Sequence, residues 1–123
     1  MKVLLSIRPE YAERIFDGSK QFEFRKAIFK SDKVRTVVVY ATMPVGRVVG
    51  EFTVGEIIEN KPSEVWRRTK DHSGITRDFF DEYFAGRARA FAIEVHNPKL
   101  YRKSLNLTDV HPSGVAPQSF CYI

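Results

Sequence analysis

Between Lys20 and Lys26 apolar and polar residues alternate with the period of an extended chain, placing Phe22 and Phe24 on one face and Gln21, Glu23 and Arg25 on the other. The pattern predicts a strand with one core face and one face free for chemistry. Upstream, Val3-Leu4-Leu5 is a continuous apolar run within Lys2 to Arg8, read as a largely buried strand that Pro9 ends. Tyr11, Ala12, Ile15 and Phe16 then recur at helical spacing through Glu10 to Asp17, and Gly18 is the natural stop.

Val34 to Thr42, rich in Val and Tyr, predicts a further strand that Pro44 closes. The stretch from Gly46 to Glu59 has strand composition interrupted by Gly50 and Gly55, as where a strand bends or bulges in a curved sheet. Asn60-Lys61-Pro62 opens a short helix to Lys70, and Ser73 is read as the cap of a second helix from Gly74 or Ile75 to Phe84. Its stripe of Ile75, Phe79, Phe80, Tyr83 and Phe84 suits packing over one end of the sheet, with a base-stacking platform as the functional alternative. Ala88 to Val95 alternates again and is expected to close at Asn97-Pro98. The remainder reads as a short strand, a turn of helix and an irregular segment that docks back on the body. Together these elements describe one α+β domain over residues 1–123. It is a small mixed β-barrel of about five or six strands with short helices covering its openings.

Composition narrows the classes of function. Hydrophobic residues at 43% and charged residues at 28% exclude a disordered chain or a coiled coil. The longest apolar runs fall far short of a bilayer span and the N-terminus lacks the length of a signal sequence, so a cytoplasmic location without a membrane partner is expected. Cys121, the single cysteine, excludes an internal disulfide and reads as a structural thiol between Phe120 and Tyr122. His72, His96 and His111 are dispersed and have no Cys or His partner at ligand spacing, so neither a metal nor a cofactor is expected. Twenty Lys and Arg against 15 Asp and Glu give a net charge of +5, which favours RNA or DNA as partner.

The segment Gly18-x-Lys20-x-x-Glu23-x-Arg25 resembles the G-x-K-x-x-E-x-R signature of the ASCH family, a branch of the PUA-like barrels. Leu5-Ser6-Ile7-Arg8-Pro9-Glu10-Tyr11, the helix from Ile15 to Gly18 and Pro117-Gln118-Ser119-Phe120 also look like small prokaryotic ASCH proteins, so the resemblance covers most of the chain. It implies a PUA-like barrel of about five or six strands with a cleft beside the signature. It also implies a role in binding RNA or modified nucleosides.

Residue chemistry supplies the roles. Lys20 is a compact cation suited to a phosphate or carbonyl oxygen, and becomes a base or nucleophile if desolvation lowers its pKa. Arg25 offers a planar fork, and Glu23 is the discriminating group, since a cleft meant only for polyanions gains nothing from a carboxylate. Glu23 would accept from an amine or ring N–H of a base, or serve as a general acid/base. The plain alternative is a solvated Glu23–Arg25 ion pair without function. In a regular strand Lys20 faces away from Glu23, so a shared site requires that Lys20 precede regular pairing or that a bulge turn it.

The leading expectation is therefore an RNA- or nucleotide-binding domain with a cleft lined by Lys20, Glu23 and Arg25 and completed by Arg8, Gln118 and Ser119. The rival is an amidohydrolase. Bacterial enzymes similar to this family remove the acetyl group of N4-acetylcytidine with the signature lysine, a threonine three residues later and a distant glutamate; here the threonine position is Glu23 and Asp71 is the nearest carboxylate to the distant one. In that reading Lys20 and Glu23 are catalytic, with Asp71 as a third group. Arg67, Arg68 and Lys70 beside Trp66, with Arg87 and Arg89, are candidates for a nucleic-acid backbone or for a solvated basic face. A DNA-binding regulator is a third reading that rests on the basic charge and on roles commonly given to relatives, with no helix-turn-helix module evident.

Overall fold

The computed structural model describes residues 1–123 and contains one six-stranded mixed sheet with four short helices. In chain order the elements are β1 (Lys2–Ile7), α1 (Pro9–Asp17), β2 (Phe22–Arg25), β3 (Thr36–Ala41), β4 (Arg47–Asn60), α2 (Pro62–Thr69), α3 (Arg77–Tyr83), β5 (Ala90–Leu105), α4 (Leu107–Val110) and β6 (Phe120–Tyr122). The strands are ordered β2-β5-β4-β3-β1-β6; β1 and β3 run parallel and the other pairs are antiparallel.

Curvature comes from β4 and β5, whose pairing shifts register between Val48 and Gly50, between Glu51 and Thr53, and between Val54 and Ile57. Gly50 stands at the first of these shifts because a Cβ there would lie 2.5 Å from the Lys99 carbonyl and 2.6 Å from the Phe16 ring. The sheet curls into a half-barrel and stays open, because β2 and β6 are its two unpaired edges. Val3, Leu5, Ile7, Val37, Val39, Phe52 and Ile93 fill its interior together with Ala12 and Ile15 of α1. Phe24, Ile58, Val65, Phe80, Phe84, Ala90 and Ala92 form a second cluster that fastens α2 and α3 to β2 and β5.

Three expectations are corrected. The strand that begins at Ala90 does not close at Asn97-Pro98: Asn97 takes a left-handed conformation (φ 47°) that bends β5 while its pairing with β4 continues. The second helix starts later than Gly74 or Ile75, because Gly74 itself is left-handed (φ 68°) and interrupts the chain. Its cap is Thr76, whose hydroxyl accepts from the Phe79 amide at 3.1 Å, and Ser73 instead donates to the Ile75 carbonyl at 3.0 Å. The closing segment docks as expected, with β6 pairing antiparallel to β1. No helix is long and apolar enough to cross a membrane.

Candidate functional site

The open seam of the half-barrel forms a cavity of about 220 Å³. Ser6, Ile7 and Arg8 line it from the end of β1, Tyr11 from α1, and Lys20, Glu23, Phe24 and Arg25 from the β2 segment. Ile75, Phe79 and Tyr83 close it from the α3 side, and Gln118 reaches it from the tail. A larger groove of about 410 Å³ lies between α1 and β4, but it is mostly apolar, with only Glu13 and Asp17 for polar chemistry.

Lys20 and Glu23 do share this cavity, and the reason is local. Regular pairing of β2 starts only at Phe22. Before it, the Lys20 amide donates to the Arg14 carbonyl and the Gln21 amide to the His72 carbonyl, so Lys20 sits in an irregular connection free of the strand's alternation. Its side chain is buried (2% exposed), and Nζ donates to the Ser73 carbonyl at 2.9 Å. The ammonium also stands 4.7 Å from the Phe24 ring centroid and 5.6 Å from that of Tyr11, distances at which the ring faces attract a cation. Burial pushes the Lys20 pKa from 10.5 down to about 8, with Glu23 opposing the shift and Arg14 adding to it.

Glu23 is equally enclosed (6% exposed). Its Oε2 accepts from Arg25 Nη1 at 3.3 Å, and Oε1 has no partner. No fully buried polar side-chain atom lacks a hydrogen bond, so this free oxygen opens onto the cavity. The plain alternative of a solvated ion pair is excluded, since the two side chains are 8% and 11% exposed.

Arg25 differs from its expected role. Nη1 also donates to the Ser6 carbonyl at 3.3 Å and Nη2 donates to the Ser119 carbonyl at 2.7 Å, so both ends of its fork are engaged by the protein. It spans the open seam from β2 to β1 and the start of β6, holding Glu23 in place on the way. Ser6 assists by donating to the Pro117 carbonyl at 2.7 Å. These bonds strap Pro117 to Ser119 beside the cavity and bring Gln118 into its wall. Ser119 contributes its backbone carbonyl, and its side chain is not part of the lining.

The aromatic stripe of α3 divides between the two readings. Phe80 and Phe84 pack against Phe24, as a core stripe should. Phe79 and Tyr83 face the cavity with nearly parallel rings (13°, centroids 6.1 Å apart), and Tyr11 meets Phe79 at 5.2 Å. The sequence named Tyr11, Phe79 and Tyr83 as helical apolar positions, and only their offset from Ile15, Phe80 and Phe84 around each helix hinted at a second surface. Arg8 is exposed and stacks on Phe79 at 5.5 Å, marking the mouth. Burial raises the Tyr83 pKa, keeping its hydroxyl a donor.

Other candidates lie elsewhere. Asp71 sits exposed in the turn after α2 and lines a separate shallow depression with Lys70 and Arg14, because that turn presents its backbone, not its acid, to the site. Arg67 pairs with Glu64, Arg68 with Glu56 at 3.3 Å and Arg89 with Glu59 at 3.6 Å. Lys70 and Arg87 are exposed. Trp66 packs on Phe80 at 5.0 Å, the arrangement expected of an anchored helix with a solvated basic face.

A family model for the ASCH domain matches residues 5–99. The chain belongs to the ASCH domain family. An ASCH domain-containing ribonuclease of Zymomonas mobilis is 27% identical over 124 residues, covering 99% of this chain and 84% of that protein. Two Ureaplasma parvum proteins also match: a large ribosomal subunit protein, 27% identical over 98% of this chain, and an ATP synthase subunit alpha, 33% identical over 98%. This ASCH chain spans only 39% and 15% of their respective lengths. The crystal structure of ASCH from Zymomonas mobilis superposes with a TM-score of 0.91 at 26% identity, covering 99% of this chain and 87% of that one. The N-terminal domain of Staphylothermus marinus McrB shares the fold alone, with a TM-score of 0.58 at 12% identity. The PUA-like α+β architecture expected of an ASCH domain is therefore the one observed.

Gly74 ties the loop before α3 to the site. A Cβ on it would come within 2.4 Å of Lys20 Cβ and 2.6 Å of Lys20 Cγ, and its φ of 68° disfavours any side chain. Gly74→Ala is expected to displace Lys20 and destabilise the fold by about 2 kcal/mol, read as a lower urea midpoint with an unchanged slope. A variant as stable as the wild type would show that the loop yields freely there.

Proposed function

We propose that the protein binds single-stranded RNA by admitting one base at a time into the seam cavity. The observation that carries this reading is a buried cation and a carboxylate oxygen without a partner, both facing a cavity walled by Tyr11, Phe79 and Tyr83. At about 220 Å³ the cavity is smaller than the roughly 300–1,000 Å³ of drug-sized sites, which suits a planar base and excludes a base pair. A base stacked on an aromatic ring and bonded along its edge is the usual means of reading unpaired RNA. The relative named as a ribonuclease supports RNA as the polymer.

Direct phosphate contacts are expected to be few, since Arg67, Arg68 and Arg89 are paired with acids and the cations that stand over rings of the cavity wall from the exposed side are Arg8 on Phe79 and Lys26 on Tyr83. Affinity for a single-stranded hexamer should fall with salt at a logarithmic slope of only about −1 to −2. Duplex RNA should bind at least about tenfold more weakly, and Phe79→Ala should remove a similar factor by deleting the stacking wall. Equal binding of duplex, or a steep salt slope indifferent to Phe79→Ala, would place binding on the outer surface instead.

A second reading is RNA cleavage, favoured by the name of that relative together with Lys20, whose pKa of about 8 lets it exchange a proton near neutrality. Incubation of labelled single-stranded RNA with wild type and Lys20→Met distinguishes the two, since cleavage confined to the wild type establishes an enzyme. The amidohydrolase reading keeps Lys20 and Glu23 in one cavity but loses Asp71 as its third group, since that residue lies outside.

A further inference from the structure

We infer that the cavity selects guanine. This rests on the RNA-binding reading of the same site and adds the identity of the base. Three features of the wall converge on it. Lys20 presents a charged donor whose only oxygen partner is the Ser73 carbonyl, leaving N–H groups for a carbonyl oxygen of the ligand. Glu23 presents an acceptor, with Oε1 free and Oε2 held from one side by Arg25. Arg25 directs Nη1 to Ser6 and Glu23 and Nη2 to Ser119, so most of its fork is turned to the protein and holds the carboxylate in place, leaving Lys20 as the cation with uncommitted N–H groups.

The wall therefore offers one donor next to a carboxylate with two acceptor oxygens. A guanine edge is the complement, with O6 as acceptor followed by the N1–H and N2–H₂ donors. Lys20 would donate to O6, and the two N–H groups would meet the Glu23 oxygens. Adenine and cytosine each bring one amine beside an acceptor ring nitrogen, which Lys20 could meet, but they leave the second Glu23 oxygen without a donor. Uracil brings one N–H between two carbonyls, so one of its oxygens would face the carboxylate. Only guanine uses the donor and both acceptors without setting like against like. Stacking on Phe79, Tyr83 or Tyr11 favours any base and carries no part of the preference.

The test varies the ligand and leaves the protein intact. Fluorescence anisotropy would measure binding of uridine hexamers carrying one central guanosine, inosine, adenosine or cytidine, with the all-uridine hexamer as reference. The guanosine hexamer is expected to bind about tenfold or more tightly than the reference. Inosine, which keeps O6 and N1–H but lacks the N2 amine, should fall between them. In Glu23→Gln, which turns one acceptor into a donor, the ratio of guanosine-hexamer to all-uridine affinity should fall toward one, whatever the change in overall affinity. Equal affinities for all five hexamers, or a preference for adenosine or cytidine, would overturn the guanine assignment and leave RNA binding standing. Failure of every hexamer to bind would overturn both.

Discussion

Replacing Lys20 with methionine is expected to stabilise the fold and to weaken RNA binding by at least about tenfold. Lys20 is among the largest fully buried side chains, in the company of Phe52, Phe80, Leu4 and Leu5. Its ammonium keeps one hydrogen bond and two aromatic faces in place of water. Lowering its pKa from 10.5 to about 8 corresponds to about 3 kcal/mol of instability while it is charged. Methionine fills a similar volume without that penalty, but the Ser73 carbonyl loses its donor and the ring contacts lose their cation, so a net gain of about 1–2 kcal/mol at pH 7 is expected.

The pH dependence follows from the direction of the shift. Between pH 8 and 10.5 the folded protein binds fewer protons at Lys20 than the unfolded chain, so the contribution of this group to stability rises with pH across that window. Below pH 8 the whole penalty is present; above pH 10.5 it has gone. Lys20→Met should therefore exceed the wild type in urea midpoint at pH 7, and its advantage should shrink steadily from pH 8 to 10.5. A variant less stable than wild type at pH 7 would mean that the hydrogen bond and the ring contacts outweigh the burial of charge. A more stable variant that still binds RNA as the wild type does would remove Lys20 from the site. A group kept at such an expense to stability is what a ligand site requires and a core does not.

The sequence showed the site more readily than its wiring. Alternation of Phe22, Glu23, Phe24 and Arg25 was legible because a strand's period is local, and the glycines in β4 announced curvature because they allow close approach, of Lys99 and Phe16 at Gly50 and of Glu94 and His96 at Gly55. The placement of Lys20 turned on where pairing begins, which depends on the His72 carbonyl more than 50 residues away. The role of Arg25 depended on carbonyls at Ser6 and Ser119, and backbone acceptors leave no trace in a sequence. Position ahead of the helix that precedes the last long strand points to Asp71 as the distant acid, whereas the turn that carries it offers the site the carbonyl of Ser73. Likewise Thr76 displaced Ser73 as the helix cap because a left-handed Gly74 intervenes, a conformation that residue type permits without requiring.

Arg25→Met is expected to be the most destabilising single change at the seam. It leaves Glu23 as an enclosed carboxylate without a cation and strips donors from the Ser6 and Ser119 carbonyls, at a combined cost of about 3–5 kcal/mol. Such a loss is a large fraction of a typical domain's stability of about 5–15 kcal/mol. Because the fork is the tie between β2 and the tail, the damage should be local before it is global. Amides from 118 to 122 should exchange faster with solvent, whereas those of β3 and β4 should keep rates set by global unfolding. Adding Glu23→Gln to Arg25→Met removes the orphaned charge and should restore about 1–2 kcal/mol, giving a coupling energy of at least that size in the double-mutant cycle once the cost of Glu23→Gln alone is counted. Coupling near zero, or uniform acceleration of exchange throughout the sheet, would show that the pair is incidental and that the tail is held by β6 alone. If the coupling is found, the carboxylate that faces the ligand and the strap that presents Gln118 are set by the same guanidinium, and a change at either is felt by the other.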